Sequence, residues 1–168
     1  MSNTQSIRIS GITPESIVDG EGIRYVIFTQ GCPHHCAGCH NPSTHSFDGG
    51  KVVAIHDILT GIEKNSKYID GITLSGGEPF CQIDQCSIIA KKARELGLTV
   101  WCYTGFSFEE LYGRGDALEL LQNLDVLVDG PFILEERSLD LDFRGSRNQR
   151  IIDVRTSLKE GVTVMKKI

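Results

Sequence analysis

Four short runs rich in β-branched and aromatic residues recur along the chain, and a glycine follows each run within two residues of its end. Runs of this composition, bounded by glycine, are typical of β-strands. They are "IRYVIFTQ" (23–30), "GITLS" (71–75), "LTVWCY" (98–103) and "DVLVD" (125–129), followed by the exits "TQGC", "LSGGEP", "CYTGF" and "LVDGPF". Because all four end alike, we expect strands whose carboxyl ends form one functional edge.

Amphipathic helical segments lie between these strands. The clearest covers residues 82–96, where apolar residues recur every three to four positions before Gly97, and weaker ones cover 54–65, 108–112 and 117–123. Strand–helix alternation predicts parallel strands with right-handed crossovers. A closed eight-unit barrel uses roughly 30 residues a unit, so 168 residues have room for about five or six. We therefore expect an α/β fold, a partial, open, TIM-barrel-like (β/α) barrel forming a single domain over residues 1–168.

Composition restricts the partners of such a domain. The net charge is −5 and hydrophobic residues make up 40% of the chain, which argues against general affinity for nucleic acid or for an anionic membrane. The start "MSNTQSIRIS" has no apolar core of a signal peptide, and no run approaches the roughly 18 apolar residues of a membrane span. We therefore expect a cytoplasmic protein. In a reducing cytosol, clustered cysteines more often bind metal or do redox chemistry than form disulfides.

The segment "GCPHHCAGCHNPSTH" (31–45) contains such a cluster, Cys32, Cys36 and Cys39. Structural zinc takes four ligands, and a nearby histidine could complete the set, although no second pair of cysteines has suitable spacing. Iron–sulfur clusters are ordinarily held by four thiolates. Three thiolates would leave one iron of a four-iron cluster open to a substrate or cofactor. Both interpretations remain possible from spacing alone.

The motif Cys32-x3-Cys36-x2-Cys39 resembles the cluster motif of the radical S-adenosylmethionine superfamily, and "SGGEPF" (75–80) resembles its glycine-glycine-glutamate segment. The string from residue 18 to residue 45 is similar to the start of the activating enzymes of glycyl radical enzymes. Together with "WCYTGF", "LVDGPF" and "RGSRNQ" (144–149), the chain most resembles the family that activates anaerobic ribonucleoside-triphosphate reductase.

The resemblance implies a [4Fe–4S] cluster bound by the three cysteines, with S-adenosylmethionine chelating the fourth iron. It also implies reductive cleavage to a 5′-deoxyadenosyl radical, which takes a hydrogen atom from a glycine of the reductase large subunit. Reduced flavodoxin or a similar protein would supply the electron. The implied cofactor-binding residues are Gly38, Cys39, His40, Gly76, Gly77, Glu78 and Asp129. Glu78 would accept a hydrogen bond from the ligand's ammonium, and His40 or the Gly38 backbone would contact adenine.

Several polar residues have competing interpretations. Asp129 could bind a ligand hydroxyl or the sulfonium, or it could cap the turn before Gly130. His34, His35 and His45 are predicted to be solvated loop residues, whereas Cys86 and Cys102 are predicted to pack in the core. Arginines 144, 147 and 150 form either a solvated turn or part of the functional edge. Two alternative functions remain: activation of another glycyl radical enzyme of the pyruvate formate-lyase type, or another small radical synthase, and, more remotely, a zinc-binding module.

Overall fold

A computed structural model describes residues 5–168 and contains one mixed seven-stranded sheet in the order β3-β1-β2-β4-β5-β6-β7. The strands are β1 (Ser6–Ser16), β2 (Arg24–Thr29), β3 (Lys51–Ala54), β4 (Gly71–Gly76), β5 (Thr99–Tyr103), β6 (Val126–Asp129) and β7 (Arg150–Asp153). β2, β4, β5 and β6 are parallel, whereas β1, β3 and β7 pair antiparallel with their neighbours. The parallel strands therefore bring their carboxyl ends to one edge.

The helices cover a single face of this sheet. They are α1 (Ile55–Asn65), α2 (Ile83–Glu95), α3 (Phe108–Tyr112), α4 (Leu118–Leu121) and α5 (Val154–Glu160). Alternate residues of the strands, such as Ile27, Leu74 and Cys102, pack with the apolar faces of the helices in one buried cluster. α2 ends just before Gly97, whose φ of +77° suits glycine. No helix within residues 5–168 is long and apolar enough to cross a membrane.

The opposite face of the sheet carries a smaller apolar cluster, centred on Trp101 and Val128, and a buried arginine. Arg24 is 1% exposed, and its guanidinium donates to the Thr73 and Thr99 hydroxyls and to three backbone carbonyls. One of these carbonyls belongs to Glu21, in the loop that crosses this face. Burial lowers the pKa of Arg24 to about 10, which still leaves the side chain protonated at neutral pH.

We expect Arg24→Lys to lower the free energy of unfolding by about 2 kcal/mol, because a single ammonium cannot reach all the acceptors of a planar guanidinium. Urea unfolding followed by circular dichroism measures this loss. Arg147→Lys, at an exposed position, provides the control and is expected to change stability by less than about 0.5 kcal/mol. Equal denaturation midpoints for the two variants would contradict the clamping role of Arg24.

The open, partial α/β fold predicted from the sequence is confirmed, and the four predicted strands correspond to the four parallel strands. The structure adds antiparallel strands at both edges of the sheet, so the parallel part is shorter than five or six units. The segment "GVTVMKKI" lies along the outer side of β7. There Asp153 N–H donates to the Val164 carbonyl and Lys166 N–H donates to the Ile151 carbonyl.

Candidate active site

A cavity of about 700 Å³ opens at the carboxyl ends of the parallel strands, on the face without helices. Its wall includes Gly76 at the end of β4, Gly77 after it, Thr104 after β5 and Gly130 after β6. The paired register of β2 with β4, which aligns Thr29 with Gly76, brings these exits to the same level. The predicted position of the functional edge therefore coincides with a cavity large enough for a cofactor.

The segment of residues 31–45, called the cysteine loop below, follows β2 and forms one side of this cavity. Cys32, Cys36 and Cys39 all line the wall, and all are free thiols. The loop is closed by backbone hydrogen bonds, from Gly31 N–H to the Thr44 carbonyl (2.7 Å) and from Cys32 N–H to the His45 carbonyl (3.1 Å). Cys32 is buried, and this burial raises the pKa of its thiol.

The chemistry of the donor set fits an iron–sulfur cluster. Cys32, Cys36 and Cys39 are all free thiols on one wall of the cavity. Ligands of a mononuclear zinc must all approach within about 2.3 Å of one point, whereas cluster cysteines bind separate irons. Three thiols on one cavity wall therefore fit a [4Fe–4S] cluster.

Gly76 and Gly77 allow the end of β4 to lie against the start of the cysteine loop. Gly76 has a φ of +92°, and a Cβ at Gly77 would lie 2.3 Å from the Gly31 carbonyl oxygen. Gly77 N–H donates to the Thr29 carbonyl, and the next residue's N–H donates to the Gly31 carbonyl, both at 2.8 Å. The glycine pair thus positions the loop, and it also exposes backbone to the cavity, as the sequence predicts.

Glu78 has a different position from the one predicted. It is fully buried and lies off the cavity wall. Its carboxylate accepts hydrogen bonds from the Thr104 hydroxyl (2.9 Å), Gly105 N–H (2.8 Å) and Phe80 N–H (3.1 Å), and it contacts His34 Nε2 at 2.6 Å. In this structure Glu78 connects the cysteine loop to the end of β5, and its hydrogen bond to a ligand ammonium stays a prediction.

His34 is correspondingly not the solvated residue that the sequence suggests. Its side chain is 16% exposed, and its ring lies edge-on to Phe106 with centroids 4.6 Å apart. The imidazole also lines the cavity beside Cys32. The pairing of His34 with Glu78 joins residues 44 positions apart, so local sequence patterns gave no sign of it.

Asp129 takes the structural role of the two predicted for it. Its carboxylate is 1% exposed and does not line the cavity. It accepts a hydrogen bond from Phe108 N–H (2.7 Å) at the start of α3 and pairs with Arg150 of β7, whose Nε lies 3.0 Å away. Arg150 also binds Glu109, and this bond holds the pKa of the Glu109 carboxyl at about 2. These contacts match the structural role, and ligand binding by Asp129 stays a prediction.

The adenine contact predicted near Gly38 has two aromatic candidates. His40 and Phe132 both line the cavity, with ring centroids 5.3 Å apart. Gly38 has a φ of +74° and lies off the wall, where a Cβ would approach the Leu134 side chain at 2.8 Å. The sequence analysis did not identify Phe132 as a site residue. Its position directly after "DGP" at the end of β6 is the sequence feature that indicates a place near the site.

The remaining cysteines are outside the cavity. Cys86 and Cys102 are fully buried between the sheet and the helices, and this burial raises the pKa of both thiols. Their predicted packing role is therefore consistent with the structure. Cys81 is exposed and does not line the cavity wall.

Comparisons with known proteins agree with this site. A family profile described as a 4Fe-4S single cluster domain matches residues 18–152. Proteins named anaerobic ribonucleoside-triphosphate reductase-activating protein match from Haemophilus influenzae (34% identical, 82% of this chain and 92% of the relative), Enterobacteria phage T4 (35%, 83% and 90%) and Escherichia coli K12 (32%, 84% and 96%). By the extent and identity of these matches, the chain belongs to the family of anaerobic ribonucleoside-triphosphate reductase-activating proteins.

Proposed function

We propose that this chain activates anaerobic ribonucleoside-triphosphate reductase by generating a glycyl radical on its large subunit. The observation that carries the proposal is the set of three free thiols, Cys32, Cys36 and Cys39, on the wall of a cavity at the carboxyl ends of parallel strands. These cysteines would hold a [4Fe–4S] cluster, which would supply the electron for reductive cleavage of S-adenosylmethionine and so the radical that activates the reductase.

The chain's own residues bind and orient the reactants. The three cysteines would hold the cluster, and S-adenosylmethionine would bind beside it. The backbone at Gly76 and Gly77, which lines the cavity, would border the methionine part, and His40 with Phe132 would border the adenine. Glu78 lies outside the cavity wall, where its contacts position His34 and the residues that follow β5.

The cavity opening is where we place the reductase partner. Helices cover only one face of the sheet, so the cavity is open on the side where a segment of a large protein must enter. We assign the glycine-bearing segment of the reductase to this opening. A reduced flavodoxin or a similar small protein is the electron donor in this proposal, and the reaction takes place in the cytoplasm.

The test is low-temperature electron paramagnetic resonance on anaerobically reconstituted protein mixed with S-adenosylmethionine, a reductant and the same organism's reductase. We expect a glycyl radical doublet with the wild type and none with Cys36→Ala, since that variant lacks one iron ligand. Cys81→Ala is the matched control, because its thiol is exposed outside the cavity.

A parallel tube contains pyruvate formate-lyase in place of the reductase. A radical only in that tube would show that pyruvate formate-lyase is the substrate. Accumulation of 5′-deoxyadenosine in both tubes would show that the chain cleaves S-adenosylmethionine in either case. A colourless, air-stable protein with one zinc per chain would refute the proposal altogether.

A further inference from the structure

Arg144 lies on the wall of the same cavity and has no role in the function proposed so far. Among residues 5–168 it is the one arginine or lysine that lines this cavity. No ion pair joins it to a carboxylate within the described chain. The cavity therefore contains a single arginine that makes no direct ion pair with a carboxylate of the described chain.

The turn that carries Arg144 is fixed to the end of β6 by side-chain hydrogen bonds. Gln149 accepts from Gly145 N–H (2.9 Å) through its Oε1 and donates to the Gly130 carbonyl (3.1 Å) through its Nε2. Asn148 donates to the Pro131 carbonyl (2.7 Å). The "RGSRNQ" turn is thus held rigidly beside the cavity, which favours a binding role over a solvated one.

The residue before Arg144 has an unusual backbone conformation. Phe143 has a φ of +60°, which is costly for an aromatic side chain. The conformation is maintained by a hydrogen bond from the Tyr103 hydroxyl to the Phe143 carbonyl (2.7 Å) and by the edge-on contact of its ring with Trp101. The segment that positions Arg144 is therefore held in a strained backbone conformation.

The hydrogen bonds of the guanidinium are incomplete. Nη1 donates to the Gln149 carbonyl at 3.3 Å. Nε is buried and has no acceptor. A buried N–H group without an acceptor is unfavourable and is rare in folded proteins unless a ligand or water completes it. The planar guanidinium is also suited to bind a carboxylate through charge-assisted hydrogen bonds.

We propose that Arg144 binds a carboxylate inside the cavity, and that this group is the methionine carboxylate of S-adenosylmethionine. This inference rests on the proposed function. S-adenosylmethionine carries one carboxylate besides its ammonium and sulfonium cations, and Asp19 and Asp142 on the cavity wall suit the cations. A carboxylate that loses water on entering a cavity requires a paired cation, and Arg144 is the group that can supply it.

The test measures ligand affinity by anaerobic equilibrium binding to the reconstituted protein. We expect Arg144→Gln to weaken binding of S-adenosylmethionine roughly 10- to 100-fold, as for loss of a hydrogen bond to a charged group. The same substitution leaves the affinity for decarboxylated S-adenosylmethionine unchanged, because that ligand has no carboxylate to lose. Arg147→Gln, three residues away and exposed, is the matched control and retains wild-type affinity for both ligands.

Arg144→Lys is a second variant that keeps the charge without the planar guanidinium, and we expect it to fall between the wild type and Arg144→Gln. Equal affinity of the wild type and Arg144→Gln for S-adenosylmethionine overturns the inference, and weaker binding of the reductase in that case assigns the arginine to a carboxylate of the partner. Equal weakening of both ligands also overturns it. Failure of the wild type to bind S-adenosylmethionine refutes the proposed function instead, so the two failures are distinguishable.

Discussion

Replacing Glu78 with alanine is expected to lower the free energy of unfolding by roughly 3–5 kcal/mol. The substitution removes the acceptor of the Thr104 hydroxyl and of the Gly105 and Phe80 N–H groups, and it removes the contact with the His34 ring. These donors are buried or nearly so, and water cannot replace the carboxylate without opening the site. Urea unfolding of the cluster-free protein under anaerobic, reducing conditions measures the change.

Two further variants make the result interpretable. Glu78→Gln keeps one oxygen acceptor and is expected to cost less than Glu78→Ala. Glu95→Ala removes an exposed carboxylate near the end of α2 and is expected to alter stability by no more than about 0.5 kcal/mol. If Glu78→Ala cost as little as Glu95→Ala, the buried carboxylate would not be the group that connects the cysteine loop to the end of β5.

Gly77→Ala is expected to reduce stability by about 3–5 kcal/mol and to prevent normal loading of the cluster. The added methyl group would lie 2.3 Å from the Gly31 carbonyl oxygen and 2.9 Å from its carbon, and neither is a flexible side chain that can move aside. Relieving the contact requires the exit of β4 to separate from the cysteine loop. That movement breaks the hydrogen bonds to the Thr29 and Gly31 carbonyls.

The measurements are iron bound per chain after reconstitution and the urea midpoint of the cluster-free protein. Gly11→Ala in β1 is the matched control, since a methyl group there meets nothing within 4 Å, and we expect its stability to stay within about 1 kcal/mol of the wild type. A Gly77→Ala protein with a full complement of iron would show that the two backbones tolerate separation.

The strands and helices that the sequence predicted are those whose apolar patterns are long or distinctive. β2, β4, β5 and β6 are parallel and largely buried, so they read as continuous apolar runs bounded by glycine. β3 and β7 each have four residues with only two large apolar ones, so neither forms a recognisable apolar run. β1 alternates only in part and contains Gly11 and Pro14, which resemble turn signals.

The sequence predicted the site residues that lie close to one another along the chain. The three cysteines and the glycine pair lie within short motifs, so their spacing indicated their position on the cavity wall. The Glu78 and Asp129 carboxylates were identified as site residues, but their partners come from distant parts of the chain. His34 is 44 positions from Glu78 and Arg150 is 21 from Asp129, and only the folded sheet brings them together.

The C-terminal segment along β7 affects how a peptide can be recognised. A sheet with a free outer strand can capture an extended partner by adding it as a further strand, with affinity supplied by main-chain hydrogen bonds. Here Val164 and Lys166 already occupy that position on the outer side of β7, which follows the turn that carries Arg144 in the chain. Strand addition along β7 is therefore blocked where these residues pair with it.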